Sequence, residues 1–256
     1  MKRKNRRIHE AGFTLVELVI TMVISGLIMT AVYSVYIAQQ RVATAQEQVT
    51  VMQQNGRSSI AILSPDLRMA GFDPTRDAKA GFVASGTFSN GEGETESVAS
   101  TVTQIAFTTD LDEDGSIDEK VEDINGDGNK DISEMEQVAY RLNGTDLQRY
   151  STTTGVIEWQ TIAENIEAIE FSYLDKDGNV TVDFDEVRAV DVSILAKAAY
   201  PDPKFTNGLT YISSSGLATN TPWDLNGATA GLANPPNDNF RRRLLITRIQ
   251  CRNLGL

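Results

Sequence analysis

The chain has 256 residues, with 23 basic and 35 acidic side chains and a formal net charge of −12. An acidic chain is a poor partner for nucleic acid, because phosphate binding requires a basic surface. One Cys and one His exclude an intrachain disulfide framework and make a His-based zinc centre or a catalytic triad hard to build. The length is sufficient for one large domain or two small ones with a real core.

The N-terminal part of the chain is first basic and then apolar. Residues 1–12 carry five basic side chains and one acidic side chain, and residues 13–38 follow with Glu17 as their only charge. A helix over 13–38 would span about 39 Å, and a hydrocarbon core is roughly 30 Å thick. A removable secretory signal fits poorly because the apolar stretch is too long. The basic flank is expected on the cytoplasmic side of a membrane, with the remaining chain outside the cytoplasm.

Glu17 separates this segment from an ordinary uncleaved signal anchor. A carboxylate in the hydrocarbon region costs a few kcal/mol and normally has a partner. The next basic residue along the apolar stretch, however, is Arg41. Cleavage between Gly12 and Phe13 would create an α-amino group one helical turn from Glu17. That ammonium could pair with Glu17 of the same chain or of a neighbour in a bundle of staggered helices.

The heptapeptide GFTLVEL, which begins at Gly12 and follows a short basic leader, resembles the cleavage and methylation segment of type IV prepilins. The resemblance implies cleavage after Gly12 by prepilin peptidase and methylation of the Phe13 amine. It also implies a contact of Glu17 that recruits the subunit into a filament. A plain signal anchor is the alternative interpretation.

The helical pattern continues over residues 39–71. Asn55-Gly56 and Ser64-Pro65 interrupt it and predict kinks or a break, and Pro65 could instead open a new turn with Ser64 as its N-cap. Several scattered segments resemble PilW-type minor pilins, and they lie at 54–57, 66–72, 187–190, 240–243 and 252–253. Other minor pilins and type II secretion pseudopilins are the alternatives.

Residues 72–256 are predicted to form a soluble, β-rich domain. Residues 73–100 predict a loop, and residues 198–239 predict a long polar loop that holds five of the seven prolines. Strand patterns lie at 103–109, 137–142, 146–151, 156–160, 166–174, 179–184, 187–196 and 243–253. Asn143-Gly144 predicts a two-residue hairpin turn. The sequence therefore predicts an α+β, pilin-like fold, in which the long N-terminal helix packs on an antiparallel sheet with large loop insertions.

An acidic insert occupies residues 110–134. Its second half fits the twelve-residue calcium loop D-x-[DN]-x-[DN]-G-x5-E, with Gly128 at the sharp turn. The predicted oxygen ligands of this loop are Asp123, Asn125, Asp127, Asn129, Asp131 and Glu134. The first half offers Asp110, Asp112, Asp114, Ser116 and Asp118. The twelfth position of this first half is Val121, which has no oxygen ligand in its side chain. The first half is therefore predicted to be the weaker site.

The alternative to a metal site is a solvated acidic loop. Carboxylates at this density repel one another without a counter-ion, which favours calcium. Strand patterns flank the insert, so an EF-hand-like loop carried by a sheet, with a structural ion, is expected. Outside the cytoplasm calcium is millimolar, and a site with a Kd of about 10⁻⁴ M would be filled. The shorter acidic match at 175–179 is predicted to be a hairpin turn.

No catalytic centre is expected, because the carboxylates have no nucleophile or sugar-binding aromatic platform beside them. Cys251 alternates with apolar neighbours and predicts an inert buried thiol. The basic residues 241–243 are expected to pair with nearby carboxylates or to contact an acidic neighbouring subunit.

The resemblance implies a minor pilin, a structural or assembly subunit of a type IV pilus. It would pass from a single-pass state in the inner membrane to the pilus at the cell surface. Expected partners are prepilin peptidase, other major and minor pilins, the inner-membrane assembly platform and, before assembly, the lipid bilayer. The alternatives are a minor pseudopilin of type II secretion and a membrane-anchored calcium-dependent adhesin.

Overall fold

The computed structural model describes residues 13–89, 95–117, 119–122, 131–153, 156–225 and 233–254. One helix, α1, runs from Leu15 to Met69, and the strands follow it in the chain. These are β1 Ser85–Ser89, β2 Thr95–Ala99, β3 Gln104–Thr108, β4 Glu119–Glu122, β5 Asp131–Met135, β6 Gln137–Asn143, β7 Asp146–Thr153, β8 Val156–Ala163, β9 Ile166–Leu174, β10 Ala189–Lys197 and β11 Arg242–Gln250.

The strands form two larger sheets and two hairpins, all antiparallel. The larger sheets have the strand orders β3-β6-β7-β8 and β11-β10-β9, and the hairpins are β1-β2 and β4-β5. Neighbouring strands pair in antiparallel register throughout. The predicted α+β architecture, a long N-terminal helix and antiparallel sheets, is confirmed.

The chain divides into two compact units, residues 1–47 and residues 48–256. In the first unit the described residues form the N-terminal part of α1, and their large apolar side chains from Phe13 to Tyr36 are exposed. This part of the helix is long and apolar enough to cross a membrane. Apolar side chains without protein around them require lipid or other helices.

In the second unit, the C-terminal part of α1 buries one face against the sheets. Its buried positions are Met52, Gly56, Ser59, Leu63 and Leu67, and their spacing of three and four residues is that of one helical face. The largest core cluster joins this face to residues of both larger sheets, among them Ile105, Tyr140, Ile169, Val192 and Ile249. The helix therefore continues past the apolar segment because tertiary packing stabilises it.

The break expected at Asn55-Gly56 or Ser64-Pro65 does not occur, since α1 is one helix through both pairs. Ser64 is not an N-cap: its hydroxyl donates to the Ile60 carbonyl oxygen at 2.7 Å. Burial of Leu63 and Leu67 on either side of Pro65 offsets the loss of one helical hydrogen bond at the proline.

Gly56 lies where α1 packs against Leu245 of β11. A Cβ at this position would lie 2.7 Å from Leu245 Cδ1 and 3.6 Å from the Ala196 Cβ. We predict that Gly56→Leu lowers the free energy of unfolding by about 2 kcal/mol, because the added side chain overpacks the interface between α1 and the sheet. Urea unfolding of the chain in detergent checks this. Ala61→Leu, at an exposed position of the same helix, should change stability by less than about 0.5 kcal/mol.

The prediction of an uninterrupted loop over 73–100 was wrong, because β1 and β2 form a hairpin there. Phe88 and Val98 are buried in a small cluster with Tyr150, and the Phe88 and Tyr150 rings make an edge contact at 5.4 Å. Apolar residues on one face of each strand provide the packing that the polar composition of the segment concealed.

The predicted strand at 179–184 was also wrong. Val180 makes only an isolated bridge with Leu174, and Val182 is 93% exposed. Asp183 instead caps the 3-10 turn Phe184–Glu186 by accepting a hydrogen bond from the Asp185 N–H at 3.1 Å. Alternating apolar residues did not form a strand here because the side-chain cap competes with sheet pairing.

The hairpin turn predicted at Asn143-Gly144 is present, displaced by one residue. Asn143 pairs with Asp146, so that Gly144 and Thr145 form the loop. The φ of Gly144 is +62°, which glycine adopts at little cost and which two-residue hairpin turns require.

The long loop 198–239 covers one face of the β11-β10-β9 sheet with its described residues. Tyr211, Trp223 and Leu225 are buried against Ala168 and Leu195 of that sheet. This second covered face explains why every residue of β9 is buried. Both faces of the sheet are therefore packed, although the loop is polar in composition.

Candidate functional site

The first turn of α1 holds Glu17 in a capping box with Thr14. The backbone N–H and the hydroxyl of Thr14 both donate to Glu17 Oε2 at 3.1 Å. In return the Glu17 N–H donates to the Thr14 hydroxyl at 3.3 Å. Such reciprocal bonds satisfy N–H groups that a helix start leaves free. The Glu17 carboxylate therefore lies within hydrogen-bonding distance of the backbone next to Phe13.

Phe13 is 83% exposed, and Gly12 lies outside the described residues. A new α-amino group at Phe13 would be separated by one peptide unit from the Thr14 N–H that Glu17 accepts. The Glu17 carboxylate favours a positive charge nearby, and the positive end of the helix dipole stabilises the carboxylate itself. The arrangement presents an anionic, exposed helix start at the head of an apolar helix.

In the first half of the acidic insert, the structure brings together Asp110, Asp112 and Asp114. One carboxylate oxygen of each lies within 4.8 Å of the others, and such a group could hold a metal ion. Asp114 accepts hydrogen bonds from the N–H and the hydroxyl of Ser116 at 2.8 and 2.6 Å. Ser116 therefore lies beside the triad formed by Asp110, Asp112 and Asp114. Asp118 lies outside the described residues.

Asp110 is held from both sides of its loop. Its Oδ2 accepts from the Gly115 N–H at 3.2 Å and from the Thr75 hydroxyl at 3.3 Å. A Cβ on Gly115 would lie 3.2 Å from the Asp77 Cβ, so the loop packs closely against that residue. Glu136, which immediately precedes β6, accepts from the Leu111 N–H at 2.7 Å. The loop conformation is therefore set by neighbouring segments.

The calcium loop that the sequence favours falls largely outside the described residues. Four of its predicted ligands do so, namely Asp123, Asn125, Asp127 and Asn129. Asp131 and Glu134 lie on the backbone of β5, which pairs with β4 in a hairpin. The flanking elements are therefore strands, as predicted, and this half of the insert stays a prediction.

The shorter acidic match forms the predicted turn, but an isolated bridge between Leu174 and Val180 takes the place of the hairpin's second strand. The Asp175 carboxylate accepts from the N–H groups of Asp177 and Asn179 at 2.9 and 2.8 Å, and these hydrogen bonds lower its pKa. The carboxylate is thus used within the turn. Cys251 is buried, and burial raises the pKa of its thiol to about 12. A thiol with such a pKa stays protonated at physiological pH and is unreactive, as predicted.

The basic residues 241–243 behave differently from one another. Arg241 pairs with Asp202 at 2.8 Å, while Arg242 is buried and contacts Glu167 and Asp238. Burial opposes the charge of Arg242, but hydrogen bonds to Asp238 and Glu167 leave its pKa above the ordinary value. Pairing with nearby carboxylates, one of the two sequence-based expectations, is confirmed for these two residues.

A second network joins α1 to the β3-β6-β7-β8 sheet, and the sequence did not reveal it. Asp66 accepts from the Tyr140 hydroxyl and from Arg149 Nε, the latter at 2.9 Å. Burial and the Asp66 carboxylate raise the pKa of the Tyr140 phenol. These partners are more than seventy residues apart in the chain, so no local pattern could have indicated them.

Two family matches cover most of the chain. Residues 7–33 match the prokaryotic N-terminal methylation motif, and residues 45–213 match the family described as prepilin peptidase-dependent protein B. No curated protein matches the chain. Among solved structures, a type IV-like pilin from Thermus thermophilus is similar, with 17% sequence identity and a TM-score of 0.42. That match covers 82% of this chain and 98% of the pilin chain.

The methylation motif at the head of an exposed apolar helix, followed by an antiparallel β domain, defines a type IV pilin-like prepilin, a class processed by prepilin peptidase. The chain belongs to the prepilin peptidase-dependent protein B family, whose match spans more than half of its length. The predicted membership of the type IV prepilin group is confirmed. The motif and the apolar helix are consistent with membrane anchoring and with a place in a pilus.

Proposed function

We propose that the protein is a minor pilin of the PilW type, a structural and assembly subunit of a type IV pilus. The observation that supports this most directly is the capping box of α1, which holds the Glu17 carboxylate beside Phe13 at the head of an exposed apolar helix. A subunit of this design can rest in the inner membrane and later pack the same helix against others.

In the proposed sequence of events, prepilin peptidase cleaves after Gly12 and the Phe13 amine is methylated. Because the leader carries five basic and one acidic side chain, residues 13–256 alone have a net charge of −16. The ammonium group at Phe13 then pairs with Glu17 of its own or of a neighbouring chain, and the helix transfers from the bilayer into the filament with the assembly platform and other pilins.

We further propose that the acidic insert binds calcium as a structural ion and that the role of the subunit is structural rather than enzymatic. Oxygen-only donors from carboxylates suit a hard cation, and the buried Asp110 oxygen described below supports such an ion. The ion would neutralise repulsion within the insert and stabilise the β domain outside the cytoplasm.

Fractionation of shear-released filaments tests the proposal. A minor pilin is expected in the sheared pilus fraction at a low ratio to the major pilin, and deletion of prepilin peptidase should leave it in the membrane fraction. A type II secretion pseudopilin would instead be absent from the pilus fraction. Deletion of its gene would block protein secretion. Recovery only in membranes, with normal secretion and reduced surface attachment, would favour the anchored adhesin.

A further inference from the structure

Asp110 has one property that a solvated acidic loop does not explain. Its side chain is fully buried, and its Oδ1 has no hydrogen-bond partner in the part of the chain that the structure describes. Native proteins supply such an oxygen with a donor, an ordered water or a cation, because leaving it unpaired is costly. Oxygens of Asp112 and Asp114 lie within 4.8 Å of the Asp110 carboxylate, so a cation here would both satisfy the buried oxygen and offset the repulsion among the three carboxylates.

The spacing of these oxygens suits calcium. Calcium–oxygen distances are about 2.3–2.6 Å, so that two ligands on opposite sides of one ion lie about 5 Å apart. The three carboxylates satisfy this limit with their present backbone conformation. Magnesium requires a smaller and more regular octahedron and retains most of its water. One buried ligand, Asp110, and one exposed ligand, Asp114, suit this regular geometry less well than the flexible coordination of calcium.

Thr75 joins the triad to the segment that follows α1. Its hydroxyl lies 3.3 Å from Asp110 Oδ2 and 3.0 Å from Asp73 Oδ1. The Asp110 N–H donates to the Phe72 carbonyl oxygen at 2.7 Å. An ion bound by Asp110 is therefore placed directly against residues 72–77.

We propose that Asp110, Asp112 and Asp114 bind the calcium ion of the insert and that this ion fixes residues 72–77 in position. The inference rests on the calcium binding proposed above. It assigns the ion to the half of the insert that lacks a twelfth acidic ligand, and it makes Thr75 a positioning residue for Asp110.

Limited proteolysis of the full chain in detergent, after removal of calcium with EGTA, tests this inference. Arg76 and Lys79 are exposed trypsin sites in or next to the segment that the ion would fix. Calcium chloride should slow cleavage after Arg76 at least tenfold in the wild type. Asp110→Asn should abolish this protection, and Thr75→Val should raise the calcium concentration needed for it. Asp123→Asn should leave the protection unchanged.

Further variants keep the test decisive. Because Asp110→Asn could fail to fold, the exposed Asp114→Asn is measured beside it and should also weaken protection, whereas Asp177→Asn, in a turn elsewhere, should not. Loss of protection in Asp123→Asn but not in Asp110→Asn would overturn the assignment and leave calcium binding by the insert standing. If calcium has no effect on the wild type, both the assignment to these three aspartates and calcium binding by the insert are wrong. Equal protection by magnesium chloride would contradict a calcium site.

Discussion

Glu17→Gln is expected to reduce incorporation into the filament at least tenfold, while membrane insertion and processing of the leader continue. A glutamine oxygen can still accept the capping hydrogen bonds from Thr14, so the start of α1 stays intact. What is lost is the negative charge that we propose pairs with the Phe13 ammonium. In a bundle of apolar helices such a charge pair is weakly screened, and an unpaired ammonium there is costly. Immunoblots of sheared filaments and membranes measure the ratio.

Glu17→Leu separates the two roles of this carboxylate, because it removes both the charge and the capping oxygen. It should be at least as defective as Glu17→Gln. Glu47→Gln, at an exposed position further along α1, is the matched control and should be incorporated normally. Normal incorporation of Glu17→Gln together with loss in Glu17→Leu would show that capping alone matters and would contradict the charge-pairing role.

Arg242→Met is expected to cost about 3–5 kcal/mol of stability, since removing one partner of a buried ion pair leaves the other uncompensated. Glu167 is 2% exposed at its side chain, and the ammonium group of Lys197, at 3.2 Å, is itself partly exposed. Glu167 occupies a β-bulge between β9 and β10, which directs it toward Arg242. The same guanidinium binds Asp238 at 2.6 and 2.7 Å. Its loss should therefore also release the end of the loop 198–239 from the sheet.

Thermal unfolding of the purified chain, followed by circular dichroism, measures this effect. Arg243→Met, an exposed neighbour on β11, should stay within about 0.5 kcal/mol of the wild type. The double variant Glu167→Met with Arg242→Met should recover most of the loss, because an apolar pair needs no charge compensation. A single variant as stable as the wild type would contradict a structural role for the pair.

The elements that local pattern defines could be predicted from the sequence. The strand predicted at 166–174 coincides with β9, and the helix predicted over 13–71 differs from α1 at its ends and in the interruption that was expected within it. Pairing partners could not be predicted with the same success. The alternating apolar residues at 179–184 form only an isolated bridge and no strand. The Gly- and Ser-rich residues near Phe88, in contrast, form a strand that pairs with β2. Sheet formation depends on distant packing, which a window of the sequence does not contain.

The candidate sites show the same division. The motif from Gly12 to Glu17 is contiguous, so the sequence was sufficient to predict it. The two halves of the acidic insert could be recognised, but the burial of Asp110 and its hydrogen bond with Thr75, thirty-five residues earlier, could not. Arg242 and Glu167 are seventy-five residues apart, and only the fold brings them into contact.

Mass spectrometry of the N-terminal peptide, from protein purified out of the native membrane and pilus fractions, tests whether the protein is processed as a prepilin. We expect a chain that begins at Phe13 and carries one N-methyl group, and a chain with residues 1–12 intact in cells that lack prepilin peptidase. A mature chain that retains the leader in wild-type cells, or that begins at any residue other than Phe13, would contradict it.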